Sequence, residues 1–472
     1  MKVKNILLGI VSAAFMLTAC DVLEQPYFMG DSSDQIFKDP AKIAAASVGL
    51  YYAIQNAEFL GGRAQIYVDA RGVDVNPPTF FGNLAIFSPT SADGTVTNAW
   101  QGAYRTVNEC NLFLKGIETA KTDGIITEEA YRGYAAEAKF VRGVVYFYAL
   151  HFWGQMYAKD SENLGIPLVL VAYDGGTAFT EAVNVPRSTI SDCYAQIAGD
   201  LKAAEVLSKT RSDLFGGRGT ATSGGAQAML SRLYLYKNQN DSAIYYANQV
   251  INSGTYKLAT SVYSNFLAPT TSPEIIFFIA HNQSDNPNTN NALGQHYGQA
   301  NRADINISST FVDLFSSDDV RKEETVVFHT SRNLWYCNKY RKASQDWAPV
   351  IRYAEVLLNK AEALVKSTNS VNADAIALLN EVHQRSEPGK TYSAADFDNA
   401  NALLQEILTE RRRELCFEGH ASFDLFRNSK GIPAGRGSAL APAISFPDNY
   451  FALPIPSSDI EKSKVLVQNK GY

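Results

Sequence analysis

Between Glu410 and Arg427 the chain reads ERRRELCFEGHASFDLFR, its densest mixture of charged and apolar residues. Glu410, Glu414 and Glu418 repeat every four residues, a spacing that stacks three carboxylates along one side of a helix. Carboxylates in such an array are candidates for general acid/base work. Each, however, lies within about a turn of Arg411, Arg412 or Arg413, which would hold it ionised and so unable to donate a proton. On a helical projection Leu404, Ile407, Leu408 and Leu415 form one stripe, and Arg411 and Glu418 fall on the same face. Two charges therefore point inward. Burial of a lone charge is costly, so the spacing predicts that Arg411 pairs with Glu414 or Glu418. Asp424 and Arg427 extend the ion-pair knot past Gly419, the predicted helix end, where glycine tolerates a left-handed backbone.

No other pattern offers chemistry of its own. The sequence contains no nucleophile elbow, no HExxH, no EF-hand and no paired metal ligands. Its six histidines, His151, His281, His296, His329, His383 and His420, are separated from one another and from any cysteine pair, so no metal or cofactor is expected. The glycines of GGRGTATSGG are followed by no Gly-Lys-Ser/Thr and read as a break between helices. A glycosidase pair of carboxylates about 5–10 Å apart stays open at this level. Cys110, Cys193, Cys337 and Cys416 occur in no metal spacing and read as buried free thiols.

Composition narrows the class. Of 472 residues 46% are hydrophobic and 19% charged, a globular balance, and 42 basic against 48 acidic side chains give a net charge of −6. Such a surface argues against nucleic acid, whose phosphates need basic stripes. Lys2 and Lys4 precede an apolar run from Ile6 to Leu17, which has the length of an export signal rather than a membrane span. Leu17-Thr18-Ala19-Cys20 resembles a bacterial lipobox, making Cys20 the expected lipidated first residue. Removal of residues 1–19 leaves 40 basic and 48 acidic side chains, a net −8. Residues 20–38 then form a tether from lipid to globule.

Helical periodicity dominates the rest of the chain. Asp39-Pro40 opens a helix with Ile43, Ala46, Leu50 and Ile54 on one face. Trp100–Leu114 and Tyr134–Trp153 keep the same spacing. Ala226, Leu230, Leu233 and Tyr236 answer Ala243, Tyr246, Ala247 and Val250 across a turn, and Ile351–Arg385 repeats the unit. Helix pairs with small residues at their contact are how tetratricopeptide-like repeats build a core. The fold class is therefore predominantly α, a tetratricopeptide-like scaffold with long irregular loops and a few short strands.

Two stretches break the pattern. After Gly61-Gly62, from Tyr67 to Thr95, three prolines and three phenylalanines without a helical period predict a long loop. From Ser261 to Ala348 the chain is irregular, with a strand in PEIIFFIA followed by the amide-rich HNQSDNPNTNNALGQHYGQANR. Amides donate and accept to sugar hydroxyls, and flat rings stack on sugar faces. Asp69, Arg71, Asn76, Phe80 and Phe81 from the first stretch, with Asn291, His296, Tyr297, Arg302, Trp335 and Tyr336 from the second, are the candidate ligand contacts.

The segment ERRRELCFEGHASFDLFR, with VIRYAEVLLNKAEAL upstream and LPIPSSDIEKSKVLVQNKGY at the end, resembles the signature of the SusD-like (RagB/SusD) nutrient-binding outer-membrane lipoproteins. The blocks AEAKFVRGVVYFYALHFWG, PRSTISDCYAQIAGDLKAAEVL and GGAQAMLSRLYLYKNQNDSAIYYANQVI follow in the family's order. The resemblance implies a single domain over 39–472, with helical scaffold at about 39–260 and 349–428, a ligand-side segment at about 261–348 and an extended end at 429–472. It further implies a non-enzymatic lipoprotein, anchored on the outside of the outer membrane, that captures an oligosaccharide and delivers it to a SusC-like TonB-dependent transporter. Oligopeptide capture, a glycan-cleaving enzyme and a passive scaffold are the alternatives.

Overall fold

The computed structural model describes residues 33–157, 163–174, 181, 184–207, 214–435 and 441–472. The export signal, Cys20 and the tether up to residue 32 lie outside the described residues. Helix α1 (Pro40–Ile54) starts where Asp39 accepts a hydrogen bond from the amide of Ala41 at 2.8 Å, and it buries Ile43, Ser47, Leu50, Tyr51 and Ile54. Helix α2 (Arg63–Ala70) follows, then α3 (Gly94–Thr122) and α4 (Glu128–Trp153). The turn between α3 and α4 uses Gly124 at φ +72° and the Thr127 hydroxyl, which caps the amide of Ala130 at 3.2 Å. Short turns of this kind force consecutive helices to lie side by side.

The row continues with α5 (Ile190–Ala203), α6 (Ser223–Tyr236), α7 (Asn240–Asn252), α8 (Tyr353–Thr368), α9 (Ala373–His383), α10 (Ala400–Glu414) and α11 (Ala421–Arg427). Neighbours in sequence are neighbours in space from α3 through α9, and α7 lies directly against α8 although the irregular segment separates them in the chain. The two helix pairs thus stack as repeats. Small residues let helices approach closely elsewhere in the row: Gly225 of α6 stands 3.3 Å, measured from an ideal Cβ, from the Phe140 ring of α4.

Strands β4 (Ile275–Ile279) and β8 (Ala348–Arg352) are fully buried and antiparallel, with Ile275 opposite Arg352 and Ile279 opposite Ala348. They fasten the two ends of the irregular segment together. Strands β2 (Leu164–Pro167) and β3 (Arg187–Thr189) form a second pair, and β1 (Val75–Asn76), β5 (Asn306–Ile307), β6 (Val326–His329) and β7 (Leu334–Cys337) form a sheet in the order β1-β5-β7-β6.

Three expectations need correction. The stretch after Gly61-Gly62 begins with helix α2, all eight of whose residues are buried; a helix covered on every side carries no polar face and so no period to read. Ile351 belongs to β8, and the helix starts at Tyr353. The helix of the charged segment ends at Glu414, before Gly419, because its last carbonyls are taken from outside: Lys339 Nζ donates to Glu414 O at 3.1 Å and Cys416 O at 2.8 Å, and Arg352 donates to Glu414 O at 2.6 Å. Phe417 and Gly419 then take φ of +64° and +80°, turning the chain into α11. The buried apolar residues of α10 are Leu403 and Ile407, while Leu404 and Leu408 are half-buried.

Candidate functional site

The charged segment forms a buried network. Glu410, Glu414 and Glu418 are at most 2% exposed. Burial alone would raise their pKa values, but Arg321 beside Glu410, Arg385 and Arg352 beside Glu414, and Arg352 and Lys339 beside Glu418 hold all three below the usual carboxylate range. They stay ionised and have no proton to give. Arg411 does not pair with Glu414 or Glu418. It reaches Asp424 at 2.7 Å, Asn359 at 2.6 Å and Glu355 at 3.3 Å, because Glu414 and Glu418 already face cations from distant segments. Arg427 closes the network on Glu362 at 2.5 Å and Asp424 at 2.7 Å. This knot fixes α10 and α11 against α8, β4 and β8, and α11 in turn packs on α2.

From α2 the chain enters the first of the two stretches that hold the candidate contacts. Asp69 and Arg71 stay inside: Asp69 accepts from the Tyr297 hydroxyl at 2.9 Å, and Arg71 donates to the carbonyls of Tyr450 and Phe451 at 2.7 and 2.9 Å while lying over the Phe87 ring. Burial pushes the Asp69 pKa up to about 7. Asn76 sits on β1 and donates to Asn306 Oδ1 on β5 at 3.1 Å. Pro77-Pro78 next restricts the backbone, and a short turn at Thr79–Phe81 sends Phe81 inward and Phe80 outward, 52% exposed.

Phe80 has a structured surround. The guanidinium carbons of Arg63 and Arg302 lie 5.2 and 5.7 Å from its ring centre, and the His296 ring lies nearly parallel to it at 6.3 Å. Asn290 holds the group together: its carbonyl accepts from Arg63 Nε at 2.9 Å and faces His296 Nε2 at 2.7 Å, while its side-chain oxygen accepts from Arg302 at 2.6 Å. Asp304 sits 2.8 Å from Arg302 and 2.9 Å from His296 Nδ1. Both ring nitrogens of His296 thus face acceptors, an arrangement suited to the imidazolium, while burial and the two arginines pull its pKa down.

The small sheet joins this surface to the second stretch. Val75, Ile307, Trp335 and Phe328 stand opposite one another across β1, β5, β7 and β6 and share one face, which passes from buried at Val75 to 40% exposed at Phe328. Trp335 is half-buried, its ring 5.1 Å from that of Phe328. Of the eleven candidate contacts, Phe80, Arg302, Asn76 and Trp335 retain accessible side chains. Asp69, Arg71, Phe81, Asn291, His296, Tyr297 and Tyr336 are buried. Arg63, Asn290, Asp304 and Phe328 were not singled out by sequence. Only the amide run around Asn290 carried a usable signal.

What the arrangement can do is bind. An exposed ring framed by guanidinium and amide groups suits a ligand with an apolar face and peripheral hydroxyls. Among the described residues no group of three or more histidine, cysteine, aspartate or glutamate side chains could hold a metal ion, and no helix is long and apolar enough to cross a membrane.

A family model described as "SusD family" matches residues 335–472, and a second, described as "Starch-binding associating with outer membrane", matches residues 31–235. A SusD-like protein of Bacteroides ovatus is 29% identical over 168 residues, 36% of this chain and 27% of that protein. The starch-binding protein SusD of Bacteroides thetaiotaomicron is 30% identical over 129 residues, 26% of this chain and 21% of that protein. The chain therefore aligns with about a quarter of the length of these two relatives. The crystal structure of a SusD superfamily protein from Bacteroides fragilis covers 91% of this chain and 99% of its own, with a TM-score of 0.80 and 28% identity. The helical repeats, the signature segment and its knot, and these matches agree: the chain belongs to the SusD-like (SusD/RagB) family.

Proposed function

We propose that this protein is a cell-surface lipoprotein that captures an oligosaccharide and delivers it intact to a SusC-like TonB-dependent transporter in the outer membrane. The observation that carries the reading is the exposed Phe80 ring held between Arg63 and Arg302. A sugar ring lying on Phe80 places its hydroxyls within reach of guanidinium and amide groups that the frame has already oriented, so little ordering is lost on binding. Phe80, Arg302, Asn76 and Trp335 are the proposed contacts, with Arg63 and Phe328 added. Phe80 follows β1 at one edge of the sheet and Phe328 lies on β6 at the other, a span of about 14 Å across three strand spacings, which suits a short oligosaccharide.

The family description supports both the ligand class and the outer-membrane setting, and the lipobox ending at Cys20 supports the lipid anchor. The knot supports capture without cleavage, since its carboxylates are ionised and buried and have no proton to give. The helical row is the proposed face for the transporter, a contact that for an obligate complex buries above about 2,000 Å².

The test is calorimetric titration of the purified chain with plant, host and microbial oligosaccharides, with product analysis of the same samples. Saturable binding of a sugar recovered intact is the expected result. Cleavage products, or binding of oligopeptides alone, would overturn the glycan-capture reading. Failure to co-purify with a transporter from the same cells would overturn the delivery step.

A further inference from the structure

A groove of about 1030 Å³ runs between α1 and α3 and is closed at one end by the segment that follows β4. It is separate from the Phe80 surface: Arg63, Phe80, His296 and Arg302 are not among its lining residues. Rings form part of its wall. Phe37 and Phe113 lie with their centres 6.0 Å apart, and Tyr52 is 71% exposed.

The closed end carries two buried acceptors without donors. His281 is 6% exposed and its Nε2 lies 2.9 Å from Gly61 O, an acceptor, so Nε2 carries the proton and Nδ1 a lone pair that no protein group meets. Burial pushes the His281 pKa down to about 4, which keeps the ring neutral at pH 7. Gln55 donates through Nε2 to Ala280 O at 2.5 Å, leaving its buried Oε1 likewise unmet. Both side chains line the groove, and their anchors on the β4 side, Ala280 and His281, are adjacent residues. A buried acceptor left unpaired is destabilising, so a ligand that donates here is favoured over an apolar one. The charges of the rim nearly cancel, with Lys38, Arg105 and Lys115 set against Glu109, Asp123, Asp174 and Asp285. Neither a strong cation nor a strong anion is selected.

The geometry points to a second binding site in this groove, for a neutral mono- or disaccharide whose apolar face rests on the wall of rings and whose hydroxyls donate to His281 Nδ1 and Gln55 Oε1 once a small turn of the two side chains opens these buried atoms to the groove. The volume is at the upper end of small-molecule pockets, roughly 300–1,000 Å³. The choice of sugar as the neutral donor rests on the glycan reading above, while the two acceptors and the groove do not.

Gly49 supplies the test. It lies on α1, lines the groove, and an added Cβ there meets nothing within 4 Å. Gly49→Trp therefore fills the groove without straining the fold, and it removes a helix-weakening glycine. The full chain, Gly49→Trp, His281→Phe and Phe80→Ala would each be titrated with glucose, galactose, maltose, cellobiose and lactose up to about 10 mM, with spermidine as a cationic probe. The expected result is saturable binding of at least one sugar that Gly49→Trp and His281→Phe weaken by about tenfold or more and that Phe80→Ala leaves unchanged. The melting temperature of Gly49→Trp should match or exceed that of the natural chain. Binding insensitive to Gly49→Trp, tighter binding of spermidine than of any sugar, or no binding by any probe would overturn the proposal. Loss of only the Phe80-dependent binding would count against the capture reading and leave this site standing.

Discussion

Arg352 Nη1 and Glu414 Oε1 meet 2.5 Å apart although 62 positions separate them in the chain. The contact ties the end of β8 to the end of α10, and both side chains are at most 1% exposed. Glu414 also faces Arg385 and, at 3.2 Å, Arg321. Glu414→Gln removes the charge that three buried guanidiniums share, so it should destabilise the protein by about 3–5 kcal/mol in urea unfolding at pH 7. Sugar affinity of the folded fraction should not change, since Glu414 is buried and pairs with none of the proposed contacts. A loss below about 1 kcal/mol would show that the knot behaves like a set of solvated surface pairs.

Phe80 and Trp335 should respond differently to truncation. Phe80 is half-exposed and little of the core depends on it, so Phe80→Ala should weaken oligosaccharide binding by more than about 1 kcal/mol while the melting temperature stays nearly constant. Trp335 packs on Phe328, so Trp335→Ala should lower both affinity and melting temperature. Titration calorimetry and thermal unfolding on the same preparations separate the two effects. Unchanged affinity with a lower melting temperature would return Trp335 to the frame.

The scaffold was legible because its helices are amphipathic and meet through small residues, so Ala226 to Val250 and Ala354 to Val382 announce paired helices through period alone. Helix α2 was not, since all of Arg63–Ala70 is buried and period disappears when every face is covered. The knot was legible as a burial problem around Arg411. Its pairings were not, because Arg321, Lys339, Arg352 and Arg385 arrive from segments whose approach no local spacing encodes. The proposed ligand side draws on two aromatic and amide-rich stretches that the sequence marks out. Which residues face outward was decided by strand register: the pairing that places Phe328 beside Trp335 also turns Tyr336 to the interior.

Acidification should act through groups of two signs. Burial lowers the pKa of His151 to about 3 and of His281 and His420 to about 4, so between those values and about 6.5 the unfolded chain binds more protons, and stability falls as pH falls. Burial raises Asp69 and Asp346 to about 7; their contribution is complete below the ordinary aspartate pKa and is lost as pH rises through 7. The two limbs oppose each other from pH 4 to 6.5, predicting a shallow plateau there. Glu355, Glu362, Glu410 and Glu414, held low against burial by their arginines, give stability that is lost as pH falls below about 4, so the decline should steepen there. Asp69→Asn should uncover the histidine limb, making the melting temperature climb with pH from 4 to 7 more steeply than in the natural chain. Parallel profiles for the two proteins would refute the assignment to Asp69.

Cys110, Cys193, Cys337 and Cys416 are buried free thiols, and burial raises the pKa of each, to about 11 for Cys193 and Cys416 and further for the other two. A thiol reagent reacts with the thiolate, so all four are doubly protected, by lack of access and by protonation. Native protein should consume almost no Ellman's reagent at pH 8. In denaturant the count distinguishes the two fates of the amino terminus: a Cys20 thioether-linked to lipid leaves the four interior thiols, whereas an unmodified Cys20 adds a fifth. Four equivalents from protein extracted from membranes is the expected result, with delipidated mass as the cross-check. Five would exclude lipidation at Cys20, and two or fewer would show that the interior cysteines pair in the oxidising compartment.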